Sequence, residues 1–228
     1  MHLFFDLDNT LWDFRKNSEI TLNEMYSNRN LKQIYNVTFE IFHEKFYEKN
    51  EQLWVEFRDN GLTKEQLRER RFKESFENVG IFNIELAQEF ENNYLDEVTF
   101  HNHLVDGTEE ILDYLVTKNY KIHVVSNGFE EVTNRKVNHS NLKKYIETIT
   151  SAEEINVRKP EPEIFQHALN KAKTNLEDSY FIGDDWIADA IGAKNFGFKT
   201  IFFNALNEKF DFNDLIVVNH LSELKQIL

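Results

Sequence analysis

Leu3-Phe4-Phe5-Asp6-Leu7-Asp8-Asn9-Thr10 is the stretch whose reading decides the fold. Three apolar residues run straight into two carboxylates placed two positions apart. Carboxylates are rarely buried without a partner. An Asp-x-Asp at the end of a buried strand therefore requires a cation, a proton-handling role, or both. In open α/β sheets, ligands collect at the carboxyl ends of the strands. Leu3–Phe5 thus reads as the first strand of such a sheet, with its functional end at Asp6.

The chain outside this strand has two rhythms. From about Asn17 to His101 the apolar spacing is helical and shows no convincing strand. Thr38 is placed to cap a helix whose apolar face is Phe39, Phe42, Phe46, Trp54 and Phe57. Thr63-Lys64-Glu65-Gln66 reads as a capping box opening a second helix, which Gly80 should end. Ile84, Leu86, Ala87, Phe90, Tyr94 and Leu95 form a third stripe. After Gly107 short apolar strands alternate with helices of about ten residues, the pattern of a parallel sheet. Strands are expected at Ile122–Val125, Tyr180–Ile182, Thr200–Phe203 and Leu215–Val218, with a short extended piece near Ile149. Helices are expected near Glu109–Lys118, Glu130–Val137, Pro162–Lys173 and Ile187–Asn195, and from Ser222. The expected fold is therefore a doubly wound, Rossmann-like α/β core, residues 1–14 and 104–228, interrupted by a helical domain, residues 15–103.

Composition narrows the function. With 40 acidic against 26 basic residues the net charge is −14, which disfavours nucleic-acid polymers and anionic membranes as partners. A small phosphate ligand remains compatible, because a metal ion reverses the field within one cleft. There is no cysteine, so thiolate nucleophiles, thiolate metal sites and disulfides are excluded. That usage fits a reducing cytoplasm. No run approaches the about 18 apolar residues needed to span a bilayer, and the short N-terminal run lacks the basic flank of a signal peptide.

Four polar clusters fall at expected strand ends or just before a helix: Asp6 with Asp8; Ser126-Asn127-Gly128; Arg158-Lys159-Pro160; and Gly183-Asp184-Asp185 with Asp189. Several carboxylates at one point cannot all ionise without a cation. An oxygen-only donor set without His or Cys suits Mg²⁺. A hydroxyl, backbone N–H groups and one Lys beside that metal suit a phosphoryl group. An Asp close to phosphorus can act as nucleophile, and a second Asp can protonate the leaving oxygen and then deprotonate water. Other groupings read as structural. His101-x-His103 lacks a third nearby ligand and reads as a linker. The aromatic stripe of Phe39, Phe42, Phe46, Trp54 and Phe57 reads as core. Arg68, Arg70 and Arg71, interleaved with Glu65, Glu69 and Glu74, read as a solvated helix face.

Asp6-x-Asp8-x-Thr10, Ser126, Lys159-Pro160 and Gly183-Asp184-x₄-Asp189 resemble, in order and spacing, the four motifs of the haloacid dehalogenase-like hydrolase superfamily. The resemblance covers essentially the whole chain, and the helical insertion looks like the C1 cap of that superfamily. It implies Asp6 as nucleophile and Mg²⁺ ligand, and Asp8 as acid/base lending its carbonyl to the metal. Lys159 would hold the nucleophile and the transferring group, while Thr10, Ser126, Asn127 and Lys159 would bind phosphate. Asp184 would ligate the metal, supported by Asp185 or Asp189. The strings Asp8-Asn9-Thr10-Leu11-Trp12-Asp13-Phe14, Ser126-Asn127-Gly128-Phe129 and Arg158-Lys159-Pro160-Glu161-Pro162-Glu163-Ile164-Phe165 look like the pyrimidine 5′-nucleotidases of that superfamily.

The expected activity is Mg²⁺-dependent hydrolysis of a small phosphomonoester, with nucleoside monophosphates favoured, by a monomer or homodimer. The alternatives are a phosphoglycolate or small sugar phosphatase, a 2-haloacid dehalogenase, and a non-catalytic binding protein that keeps the fold.

Overall fold

The structure, a computed structural model, describes residues 1–210 and 214–228. Chain contacts divide it into two compact units, Met1–Phe14 with Asn102–Leu228, and Arg15–His101. The elements, in chain order, are strand β1 (His2–Phe5) and helices α1 (Phe14–Asn28), α2 (Leu31–Tyr35), α3 (Phe39–Arg58), α4 (Lys64–Glu77) and α5 (Ile84–Glu97). They continue with α6 (Thr108–Thr117), β2 (Lys121–Ser126), α7 (Glu130–His139), β3 (Ile146–Ser151), α8 (Pro162–Ala172) and β4 (Ser179–Gly183). The chain closes with α9 (Gly192–Phe196), β5 (Lys199–Phe203) and β6 (Ile216–Val218).

In the first unit six parallel strands form one sheet in the order β3-β2-β1-β4-β5-β6. Leu3, Phe4 and Phe5 are all fully buried. Successive strand residues face opposite sides, so both faces of β1 are covered, as a doubly wound sheet requires. On one face Phe4, Val125 and Phe181 pack against Ile164, Phe165, Ala168 and Leu169 of α8. Burying each such Phe contributes roughly 2–3 kcal/mol. Phe5 lies opposite Val124 of β2 and Ile182 of β4. This register brings the chain segments after β1, β2 and β4 out at one edge of the sheet.

The second unit contains no strand among its residues. Its core is aromatic: Phe42 and Phe46 of α3, Phe72 and Phe76 of α4, and Phe90 and Tyr94 of α5 are buried and stack within about 5–6.5 Å of one another. The Thr63–Gln66 capping box forms as expected. Gly80 lies in the left-handed region three residues beyond the end of α4.

Several expectations are corrected here. Leu53, rather than Trp54, is the fully buried member of its turn, and Ile84 is exposed. Arg71 is not solvated. It is buried, donates from Nε and Nη2 to Glu91 of α5 at 3.0 and 2.7 Å, and lies over the Tyr94 ring. Arg68 meets the same Glu91 at 3.0 Å. The extended piece near Ile149 is a full edge strand. Its first half is only partly buried, which weakens its apolar signature. The helix expected at Ile187–Asn195 is a π-helical turn, Trp186–Ile191, continued by α9. The helix from Ser222 is a 3₁₀ run, Leu221–Gln226. Among the described residues no helix is long and apolar enough to cross a membrane.

Candidate active site

Asp6 continues β1, donating its backbone N–H to Ile182 O at 2.8 Å. The chain then turns sharply. Leu11 and Trp12 both donate to Leu7 O, and Asn9 takes a left-handed conformation that Asn tolerates better than most residues. This turn places the Asp8 side chain above the same sheet edge as Asp6.

Lys159 is buried at the centre. Its Nζ donates to Asp6 Oδ1 at 2.6 Å and to Asp189 Oδ1 at 2.7 Å. Asn127 clasps the Lys159 backbone at two points. Asn127 Nδ2 donates to Lys159 O at 2.9 Å, and Lys159 N–H donates to Asn127 Oδ1 at 2.8 Å. Asn127, expected near phosphate, thus has both ends of its amide committed to positioning the lysine. Thr10, from the same expectation, donates its hydroxyl to Asp184 Oδ1 at 2.8 Å. Ser126 ends β2, and its Oγ accepts the Gly128 N–H at 2.9 Å. A Cβ at position 128 would come within 3.0 Å of both Ser126 Oγ and Thr133 Oγ1, so a larger residue would crowd this loop.

The acidic turn after β4 divides its carboxylates by task. Asp185 Oδ1 accepts from Ile187 and Ala188 N–H at 2.8 and 2.7 Å and so caps the π-helical turn. Asp189 returns to the site, its Oδ2 accepting the Asp185 N–H at 3.0 Å. A Cβ on Gly183 would lie 2.3 Å from that oxygen, which makes glycine a steric requirement there. Asp6, Asp184 and Asp189 each present a carboxylate oxygen within 4.8 Å of the others.

The electrostatics of this group follow from burial. Burial pushes the Asp6 carboxyl above its usual range, with Lys159 opposing and Asp8 adding to the rise. Burial also raises Asp189, again opposed by Lys159 and reinforced by Asp6. For Lys159 burial alone would lower the ammonium, but Asp189 and Asp6 outweigh it and hold it protonated. One ammonium among three close carboxylates leaves negative charge uncompensated. An all-oxygen donor set with this imbalance fits a hard divalent cation.

One participant went unread in the sequence. Lys136 of α7 is buried and donates from Nζ to Asp8 Oδ1 at 2.6 Å. Its ammonium lies 4.4 Å from the Trp12 ring centroid and 5.3 Å from that of Phe14. The available signal was helical spacing: Lys136 follows Val132 by four and Thr133 by three, and both are buried. A lysine on the inward face of an amphipathic helix needs an anion. His101, by contrast, pairs with Glu24 at 3.0 Å within the helical unit.

A family model described as haloacid dehalogenase-like hydrolase matches residues 1–197. The chain belongs to that family. Among related haloacid dehalogenase-like hydrolases, the pyrimidine 5′-nucleotidase YjjG of Escherichia coli is 28% identical over 230 residues, 99% of this chain and 96% of the relative. The (S)-2-haloacid dehalogenase 4A of Burkholderia cepacia is 31% identical over 123 residues, 52% of each chain. The fold is shared with the protein YfnB of Bacillus subtilis, solved bound to magnesium. That likeness has a TM-score of 0.87 at 21% identity and covers 100% of this chain and 97% of that one.

Proposed function

We propose that this hydrolase is a Mg²⁺-dependent phosphomonoesterase acting through an aspartyl-phosphate on Asp6, with pyrimidine nucleoside 5′-monophosphates as its substrates. The observation that carries the reading is the pairing of two carboxylates in different settings. Asp6 is buried against Lys159, while Asp8 sits two residues on and half-exposed.

In the first half-reaction a carboxylate oxygen of Asp6 bonds to phosphorus. The ester P–O bond breaks, its electron pair stays on the leaving oxygen, and that oxygen takes a proton from Asp8. In the second half Asp8 removes a proton from water as the water oxygen bonds to phosphorus. The bond from Asp6 to phosphorus breaks, releasing inorganic phosphate and restoring the Asp6 carboxylate and the protonated Asp8. Lys159 offsets charge on Asp6 and on the transferring group. Ser126 and the N–H groups of its loop would bind phosphate oxygens. A Mg²⁺ held by Asp6, the Asp8 carbonyl and Asp184, with Asp189 in support, would neutralise phosphoryl charge. The helical unit is read as a C1 cap that sets specificity.

The nucleotide assignment draws on the full-length likeness to YjjG and on the sequence strings around Asp8, Ser126 and Lys159. The second reading, a 2-haloacid dehalogenase, draws on the partial likeness to the Burkholderia enzyme. Chemistry disfavours it: a halide leaves without a proton, so the acid role of Asp8 would go unused. A phosphomonoester panel with Mg²⁺ and EDTA arms tests the proposal, together with an Asp6→Asn variant. Hydrolysis of pyrimidine monophosphates that EDTA and Asp6→Asn both abolish is expected. Preference for sugar phosphates would refute the substrate, and chloride release from 2-chloropropionate without Mg²⁺ would refute the mechanism.

A further inference from the structure

We propose that Lys136 is a positioning residue for Asp8, fixing which carboxylate oxygen meets the leaving group. The inference rests on the reading of Asp8 as acid/base.

The two oxygens of Asp8 occupy different surroundings. Oδ1 accepts from Lys136 Nζ at 2.6 Å. Oδ2 lies toward the Ser126–Gly128 loop, 3.7 Å from where a Cβ of residue 128 would sit. That loop bears Ser126, so Oδ2 is the oxygen on the phosphate side. A carboxylate on a short side chain can otherwise rotate and exchange its oxygens. Anchoring Oδ1 removes that freedom, and proton transfer is steeply sensitive to such placement.

Lys136 is itself constrained. It is buried, and its ammonium is flanked by the Trp12 and Phe14 rings. A desolvated ammonium on an aromatic face gains from the ring quadrupole but still requires an anion. Trp12 belongs to the turn that carries Asp8, and it is tied to that turn by its backbone bonds with Leu7 and Asn9. Lys136 lies on the helix that directly follows the Ser126 loop. The ammonium therefore joins the Asp8 turn and the Ser126 loop, the two segments whose relative placement sets the distance from acid to phosphate.

The test compares Asp8→Asn, Lys136→Met, Lys136→Arg and the Asp8→Asn/Lys136→Met double variant. Each is assayed on an alkyl phosphate and on p-nitrophenyl phosphate with Mg²⁺ present. An alkoxide must be protonated as it leaves, whereas p-nitrophenolate need not be. Lys136→Met should lower kcat/KM, which reports the first half-reaction, about 10- to 100-fold on the alkyl ester and much less on the aryl ester, whereas kcat, which includes the shared hydrolysis of the intermediate, can fall on both. Lys136→Arg should recover most of the loss. Adding Lys136→Met to Asp8→Asn should cost nothing further. Thermal midpoints identify any variant that fails to fold, and Lys136→Gln then replaces Lys136→Met as a neutral partner for Oδ1. Equal losses of kcat/KM on both esters, or losses that add in the double variant, overturn the proposal. Full activity of Asp8→Asn on the alkyl ester overturns instead the reading of Asp8 on which it rests.

Discussion

Lys159 sits between two buried carboxylates, and removing it is expected to cost more than one hydrogen bond. Lys159→Met would leave Asp6 and Asp189 facing each other without their shared ammonium. Breaking a buried pair in this way costs about 3–5 kcal/mol, and the loss of charge stabilisation should lower kcat by about 10³-fold. Urea unfolding in EDTA measures the first and steady-state kinetics the second. Mg²⁺ should restore part of the stability but not the activity. An unchanged urea midpoint in EDTA would refute the charge argument. Gly183→Ala acts on the same cluster by displacing Asp189, since the added methyl overlaps its Oδ2. It should weaken both stability and turnover without altering any charge. At this scale Asp6 and Asp184 were legible, because a carboxylate directly beyond a buried strand has few structural excuses. The structure brings Asp6, Lys159, Asp184 and Asp189 together. The tasks of Asn127, Thr10 and Lys136 were not legible, because each is defined by a partner at least 32 residues away in the chain.

The elements add constraints that no single residue shows. Across β1, β2 and β3 runs a hydrogen-bonded ladder, His2 Nδ1 to His123 Nε2 at 2.9 Å and His123 Nδ1 to Thr148 Oγ1 at 2.8 Å. Burial, with His2 and Lys121 adding, lowers His123 from 6.5 to about 4. His2 is lowered too, by burial, the amino terminus and Lys121, against Glu147 and Asp178. The sign follows directly. Between pH 6.5 and 4 the unfolded chain binds a proton that folded His123 refuses, so stability falls as pH falls through that window and is constant above it. The loss should reach at most about 2 kcal/mol by about pH 5. Urea midpoints of the wild type should therefore drop more steeply from pH 7 to 5 than those of His123→Gln, and parallel curves would refute the ladder's role. In the helical unit, Glu91→Gln strips the carboxylate from buried Arg71 and should cost about 3 kcal/mol. Helical spacing revealed the aromatic stripes of α3 to α5 because apolar periodicity is local. It failed at Arg71, whose partner lies 20 residues away on another helix, so an inward arginine looks like a solvated one. It failed as well at the π-helical turn, where Asp185 Oδ1 accepts the Ile187 and Ala188 N–H groups and Asp189 Oδ2 accepts the Asp185 N–H.

The whole molecule carries a charge of −14, and any cation will relieve some of that repulsion. A specific Mg²⁺ site must therefore be separated from general screening. A cation bound only by the folded state stabilises it by about 2.7 kcal/mol at 100 times its Kd. For a chain of this size that corresponds to a rise in Tm of roughly 5–10 °C. Screening by monovalent salt at matched ionic strength lacks the saturation of a single site. Thermal unfolding with MgCl₂ should accordingly show a saturable rise beyond that given by NaCl, reversed by EDTA. Asp184→Asn should abolish the excess, because Asp184 is the member of the cluster bound by Thr10 rather than by Lys159. It leaves the lysine pairs of Asp6 and Asp189 intact, so the variant should fold and still respond to NaCl like the wild type. Equal responses to MgCl₂ and ionic-strength-matched NaCl in the wild type would mean that the acidic surface, not the carboxylates at the sheet edge, accounts for the effect of the cation.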